Sequence, residues 1–358
     1  MRRVLRVLHL PTDVGGNAWG LARAERRLGL ASQVLVKSSS RFGYPADICL
    51  RLEKRPKWER LVRVMLEFCR VRRRFDVFHF NFGSSLIDFP SYGMMLWDLP
   101  FYPRGKKLVF TYNGCDIRQK YPTLFRTRFS ACHQRECYGG ICNSGLLDER
   151  RRKRLKKVEK VAHHIFALNP DLLYFLPEGS TFLPYSVAFW ERILPEKRRV
   201  AQERCLKVVH APSERGVKGT RYILEALKKL KKRYNIHVIL VEKLPYSRAL
   251  QLYRQADLVI DQVLVGWYGA FAVEAMKMAK PVAVYIRKED LRHIPTQMAR
   301  DLDEAVIGIS LENIEEVLAY YLENPSLLRQ KASGALEYVH RWHSPEYVAG
   351  LTKAVYES

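Results

Sequence analysis

Apolar residues recur along this chain in two rhythms. Short runs rich in β-branched and aromatic residues fall at 4–10, 77–82, 108–112, 165–168, 206–211, 236–241, 257–265 and 282–286. Their length suits strands buried on both faces of a parallel sheet. Between them lie stretches with helical spacing, at 17–28, 57–71, 148–165, 220–233, 247–255 and 270–278; in 220–233, Tyr222, Ile223, Ala226, Leu227 and Leu230 form the inward side. A short helix is expected to start at Asn169-Pro170-Asp171. Residues 311–358 read as helical to the end, with breaks near Pro325 and Pro345. Strand–helix alternation of this kind predicts doubly wound α/β architecture built from right-handed parallel crossovers. The clearest unit is 257–286: a strand, a turn holding Gly266 and Gly269, a helix with Phe271, Ala272, Ala275 and Met276 on one side, and a second strand opened by Pro281.

A chain of 358 residues is long enough for two such domains, each with its own core. Residues 184–202 have little apolar periodicity, two prolines and mixed charge, and are the natural linker. The expected division is a first Rossmann-like domain over 1–187, a second over 188–338, and a terminal helix over 339–358.

In open α/β sheets, ligands bind at the carboxyl ends of the strands, so the turns after each strand carry the candidate chemistry. Gly15 and Gly16 precede the first helix, where backbone amides and the helix dipole favour an anion. Asn113, Gly114, Cys115 and Asp116 form the turn after 108–112. The loop Ser213-Glu214-Arg215-Gly216-Val217-Lys218-Gly219-Thr220 sets two fixed cations beside two glycines just ahead of a helix, which is in physical terms a diphosphate cradle. Gly269 and Ala270 open the helix that carries Glu274, the one acid in its first turns. A solvated helix glutamate has the same spacing, but Arg215, Lys218 and Glu274 follow strands of one sheet and open at one edge. Phosphate cations and an acceptor for sugar hydroxyls are thereby brought to one place.

Charge narrows the partners. Lys and Arg number 61 against 37 Asp and Glu, a formal +24, so anionic partners are favoured: nucleotide sugars, lipid surfaces or nucleic acid. No zinc finger, ribonucleoprotein motif or basic zipper is present, which argues against a dedicated nucleic-acid binder. Apolar content of 47% and charged content of 27% are those of a soluble globular protein, and no apolar segment approaches a membrane span. The basic start of the chain reads as the first strand rather than a signal segment, which places the protein in the cytoplasm.

Two basic helices leave association with the inner face of a membrane open. In 57–71, Trp58, Leu61, Val62, Met65, Leu66 and Cys69 form a stripe next to Arg70, Arg72, Arg73 and Arg74. The strand that follows at once predicts a core-facing crossover helix, with a membrane surface as the alternative. The run 148–165 keeps Leu155, Val158, Ala162 and Ile165 on one face and is expected to bury that face. Of the seven cysteines, Cys115, Cys132, Cys137 and Cys142 lie near one another with His133, but without paired Cys-x2-Cys spacing. The expectation is reduced thiols, with zinc the alternative.

The segments HAPSERGVKGTRYILEALKKL and ADLVIDQVLVGWYGAFAVEAMKMAKPVAVYI resemble the donor half of retaining GT-B glycosyltransferases of the family 4, or group 1, type. The likeness spans about residues 205–290; the Gly15-Gly16 turn, His79-Phe80-Asn81 and Thr111–Asp116 extend it in weaker form. The resemblance implies two Rossmann-like domains facing a cleft and a C-terminal helix returning to the first. It also implies sugar transfer from a nucleoside diphosphate, of uridine or guanosine type, to a glycan or lipid-linked acceptor without a metal cofactor. Arg215 and Lys218 would hold the diphosphate, with Gly219, Thr220, Gly269 and Ala270 around it. Glu274 would hold the ribose hydroxyls, Gly15 and Gly16 would line the cleft, and Asn113 and Asp116 would serve the reacting sugar. Replacing Lys218 would then slow turnover and leave the fold intact. Two positions depart from the pattern. The first of the family's paired glutamates falls at Gly266, and its first-domain histidine at Asn113, which hydrogen-bonds but takes no proton near neutral pH. A non-catalytic relative and a nucleotide-sugar epimerase are the alternatives these departures raise.

Overall fold

The computed structural model describes residues 4–40, 42–196 and 205–358. It divides into two compact units. The first comprises residues 1–119, 146–188 and 344–358, and the second 120–145 and 189–343. The end of the expected linker, 197–202, lies outside the described residues.

The first unit is built on a sheet of seven parallel strands among the described residues, in the order β3-β2-β1-β4-β5-β6-β7. These are β1 Arg6–Leu10, β2 Ala31–Val36, β3 Ile48–Cys49, β4 Val77–Asn81, β5 Lys107–Tyr112, β6 His164–Ala167 and β7 Thr181–Phe182. The two-residue period of a strand sorts its side chains onto two cores. Leu8, Leu10, Phe78, Phe80, Leu108 and Phe110 face one way, over Val64, Phe68 and Val71 of α2 (Lys57–Val71). Val7, Val77, Val109 and Phe166 face the other, over Leu21 and Ala24 of α1 (Asn17–Arg27) and over Val348, Ala349 and Tyr356. Those last three come from the terminal helix of the chain, which thus packs on α1.

Among the described residues, the second unit has a five-stranded parallel sheet in the order β12-β11-β10-β8-β9. Its strands are β8 Leu206–His210, β9 Ile236–Leu240, β10 Leu258–Ile260, β11 Val282–Val284 and β12 Val306–Gly308. Residues 120–145, which come from the first half of the chain, belong to this unit. They hold α3 (Lys120–Arg126), Ala131 packs against the core of this sheet, and the Ala131 amide donates to the Leu264 carbonyl at 3.2 Å. The remaining helices are α4 Leu146–Glu159 in the first unit, then α5 Arg215–Lys218, α6 Thr220–Leu230, α7 Tyr246–Arg254, α8 Ala270–Lys277, α9 Thr296–Ala305, α10 Ile314–Glu323 and α11 Pro325–Trp342 in the second, and α12 Pro345–Glu357 back in the first. Helix α6 shows why these residues fold as they do: Ile223, Ala226, Leu227 and Leu230 recur every three or four residues and are buried together against the sheet.

The α2 stripe corrects one expectation. Trp58, Val62, Met65, Leu66 and Cys69 do not face the core; all five are exposed, and the helix is seated through Val64, Phe68 and Val71. Phe68 packs edge-on against Tyr102 at 5.2 Å, which anchors that second face.

Candidate functional site

In the second unit, β8 has β9 on one side and β10 on the other, so the chain reverses its direction across the sheet at the carboxyl ends of β8 and β10. A crevice at such a reversal is where doubly wound sheets bind ligands. The two loops that leave these strands meet at Asp261, the first residue after β10. Its Oδ1 lies 2.7 Å from the Lys218 ammonium, and its Oδ2 accepts the Gly269 amide at 2.8 Å. Asp261 is fully buried and Lys218 nearly so. A Cβ on Gly269 would stand 3.0 Å from Lys218 Nζ, a tight contact, so the α8 N-terminus approaches the ammonium closely.

Arg215, Lys218, Gly219 and Thr220 lie together after β8. Residues 215–218 form a single helical turn, and Gly219, at φ 72°, joins it to α6. Arg215 is exposed and gives a forked pair to Glu242, which follows β9, with contacts of 2.8 and 2.5 Å; the pairing holds the Glu242 carboxyl below its ordinary range. The Thr220 hydroxyl bonds Nε2 of His210 at 2.9 Å, while Nδ1 of His210 donates to the Ile260 carbonyl at 2.8 Å. Burial pushes the His210 imidazole down to about 4, so it is neutral at physiological pH and fixed in one tautomer. Glu274, on α8, is buried, and loss of solvation raises its carboxyl to about 8 even though the Tyr246 hydroxyl favours the charged form. At neutral pH this side chain is largely the protonated acid, able to donate as well as accept.

Gly266 has a local explanation. It adopts φ 86°, a left-handed conformation, and an added Cβ would meet Arg287 side-chain atoms at 3.1 Å. The turn around it is held by Gln262, whose side chain accepts from the Leu264 and Val265 amides and donates to the carbonyls of Trp267 and Tyr285.

In the first unit the sheet reverses between β1 and β4. After β1, Gly15 and Gly16 form a left-handed turn (φ 66° and 73°) that opens α1, and Asp13 Oδ1 accepts the Ala18 amide at 2.9 Å. Burial raises the Asp13 carboxyl to about 6. After β5, Asp116 accepts the backbone amides of Asn113 at 3.0 Å and Gly114 at 2.6 Å, and burial again raises its carboxyl. Asp116 therefore shapes the turn that presents Asn113. The Asn113 side-chain oxygen is buried without a hydrogen-bond partner among the described residues. Arg118 pairs with Asp171, at 2.7 and 2.9 Å.

His79 is enclosed in a buried network. Its ring nitrogens meet the Tyr356 and Thr111 hydroxyls, each at 2.5 Å, and burial pushes the imidazole well below its usual value. Glu25 lies close by and takes bonds from His9, Ser32, Thr352 and Tyr356. His9, Glu25 and His79 are the one trio of potential metal ligands that converges among the described residues. Their ligand atoms are largely committed to hydrogen bonds that tie α12 to β1, β4 and α1. No three of Cys115, Cys132, Cys137 and Cys142 form such a group.

No known family model matches the sequence, and no curated protein matches it. Solved structures do match. Sucrose-phosphate synthase from Thermosynechococcus elongatus is similar over 99% of this chain and 98% of its own, with a TM-score of 0.61 at 14% identity. A putative UDP-N-acetylglucosamine 2-epimerase from Listeria monocytogenes is similar over 99% and 96%, with a TM-score of 0.55 at 15% identity. The spinosyn forosaminyltransferase SpnP matches over 99% and 100%, with a TM-score of 0.50 at 12% identity. The fold is GT-B. Each of its two Rossmann-like sheets reverses direction beside its first strand.

Sequence reasoning missed Asp261, Glu242, His210 and Asp13. Each stands at or just beyond the carboxyl end of a strand, and a polar residue closing an apolar run was the available signal.

Proposed function

We propose that this chain is a glycosyltransferase that moves a sugar from a nucleoside-diphosphate sugar, of uridine or guanosine type, to a glycan or lipid-linked acceptor, with retention and without an essential metal. The observation that supports it is the convergence on Asp261 of Lys218 from the loop after β8 and the Gly269 amide from the loop after β10. Arg215 stands on the same loop as Lys218, four residues before Gly219 opens α6. An ammonium has three donors and Asp261 takes one, so Lys218 keeps capacity for a diphosphate oxygen. A diphosphate would compete with Glu242 for the exposed guanidinium of Arg215.

In the reaction, the bond from the anomeric carbon to the diphosphate oxygen breaks and the bond to the acceptor oxygen forms. In a front-face mechanism the acceptor proton passes to the departing phosphate oxygen, so no side-chain base is required. Arg215 and Lys218, with the N-termini of α6 and α8 at Gly219, Thr220, Gly269 and Ala270, stabilise the charge that grows on the diphosphate. Glu274 holds the ribose hydroxyls. Within the first unit, the Gly15-Gly16 turn and the buried Asn113 amide oxygen, on a turn braced by Asp116, are the groups suited to sugar hydroxyls.

The similarity to an epimerase supports a second reading, in which the nucleotide sugar is isomerised rather than transferred. Incubation with a panel of nucleotide sugars and acceptors, followed by mass spectrometry, tests both. Transfer yields free nucleoside diphosphate and a glycosylated acceptor; epimerisation yields an isomer of the donor with no diphosphate released. A donor that binds and returns unchanged under every condition rejects both in favour of a sugar-nucleotide-binding relative.

A further inference from the structure

Helix α2 has two apolar faces, and only one is used by the fold. At 3.6 residues per turn, Trp58, Val62, Met65, Leu66 and Cys69 fall within about 100° of arc. This arc lies away from Val64, Phe68 and Val71, which seat the helix. Trp58 is 70% exposed and Leu66 66%. Nothing in the first unit covers this stripe among the described residues.

The surroundings of the stripe identify its occupant. Residues 51–74 hold ten Arg or Lys against three Glu. The surface continues from the end of α2, where Arg72 donates to the Phe101 carbonyl at 3.2 Å. Phe101 meets Trp97 edge-on at 6.2 Å, and both rings are about half exposed. Two residues before Trp97, the Met95 carbonyl accepts the Lys157 ammonium of α4 at 2.8 Å. The outer side of α4 carries Arg150, Arg152, Lys153, Lys156 and Lys157, all exposed. An exposed apolar stripe with tryptophans, flanked by a dense field of cations, matches an interface whose apolar interior lies beneath an anionic surface. An acidic protein or a nucleic acid would engage the cations and gain little from the exposed Leu66 and Met65.

We propose that this face of the first unit docks on an anionic lipid bilayer, with α2 lying in the plane of the interface. Trp58, Val62, Met65 and Leu66 enter the headgroup boundary, and Arg63, Arg70 and the α4 cations meet the lipid phosphates. Membrane binding through this face requires no nucleotide sugar.

The test is co-sedimentation of the full chain with phosphatidylglycerol-containing vesicles, against pure phosphatidylcholine vesicles. Binding to the anionic vesicles, weakened by salt, is expected. The double variant Trp58→Ser/Leu66→Ser should lower partitioning by on the order of tenfold or more with an unchanged melting temperature. Arg63→Gln/Arg70→Gln should lower it on the order of thirtyfold, at about 1 kcal/mol per cation. Should the serine variant melt early, quenching of wild-type tryptophan fluorescence by brominated lipid decides the matter, since Trp58 and Trp97 would enter the bilayer. Absence of vesicle binding, loss of binding only with the arginine variant, or a concentration-dependent dimer that buries the stripe without vesicle binding each overturns the proposal.

Discussion

Lys218 Nζ and Asp261 Oδ1 stand 2.7 Å apart at the point where the second sheet reverses, and Asp261 has no exposure to solvent. The pair joins the loop after β8 to the loop after β10. This changes what a substitution at Lys218 means. Removing one partner leaves a buried, unpaired carboxylate, at a cost of about 3–5 kcal/mol. Lys218→Ala is therefore expected to destabilise the second unit as well as slow turnover, contrary to the sequence-based expectation of an intact fold. Lys218→Met/Asp261→Asn should recover much of the lost stability and remain slow. Urea denaturation of the two variants checks this, and equal stability of Lys218→Ala and wild type would show that the pair does not support the fold.

Gly266 adopts a φ of 86°, a left-handed conformation that side chains rarely take. Gly266→Ala should cost about 1–2 kcal/mol, from the left-handed backbone and the contact with Arg287. Gly266→Glu should cost at least as much and bring no gain in turnover. A thermal melt of both variants measures the first claim, and a rise in turnover with the glutamate contradicts the second.

The carboxyl of Glu274 gives a pH signature. Its folded value is raised from 4.5 to about 8 by burial, so the folded state binds more protons than the unfolded state between those values. This stabilisation is fully present below the unfolded value and is lost as pH rises towards 8, at up to about 1.4 kcal/mol per pH unit. Glu274→Gln should flatten this part of the stability–pH curve. Chemical denaturation between pH 5 and 8 in about half-unit steps provides the measurement; an unchanged slope in the variant assigns the dependence to another group.

Glu25 behaves in the opposite sense. Burial would raise its carboxyl, but the His9 side chain and the hydroxyls of Ser32 and Tyr356 outweigh it and hold the value below 4.5. Its contribution is present above the unfolded value and is lost as pH falls through the folded one. Tyr356→Phe removes one donor and should cost about 1–3 kcal/mol while loosening α12 from α1. Hydrogen exchange should show faster amides in α12 than in α1; unchanged protection in α12 would mean that the apolar contacts of Val348 and Ala349 suffice.

The fold was largely legible because its signals are local. Buried parallel strands leave apolar runs such as 206–211, and crossover helices leave stripes such as Ile223, Ala226 and Leu227. Where two faces of one element were both apolar, pattern alone chose the wrong one: in α2 the longer stripe stayed in solvent, and Phe68 and Val71 went to the core. Of the candidate site, Arg215, Lys218, Gly219 and Glu274 stand out in the sequence because charges and glycines near a helix start suit an anion. Asp261, Glu242 and His210 do not, because their roles arise from strand order, and strand order is a long-range property. The packing of 120–145 on the second unit is of the same kind: the contacts of Ala131 and Arg126 with Leu264 and Asp290 span more than a hundred residues of sequence.

Calorimetric titration with uridine, guanosine and adenosine diphosphates, with and without magnesium, tests the proposed donor site most directly. Arg215 is the residue to vary, because it is exposed and its replacement leaves no buried charge behind. One base family should bind wild type without magnesium, and Arg215→Ala should weaken that binding on the order of tenfold or more with an unchanged melting temperature. Binding of no nucleotide, or equal binding by wild type and Arg215→Ala, would contradict a diphosphate site at this sheet edge.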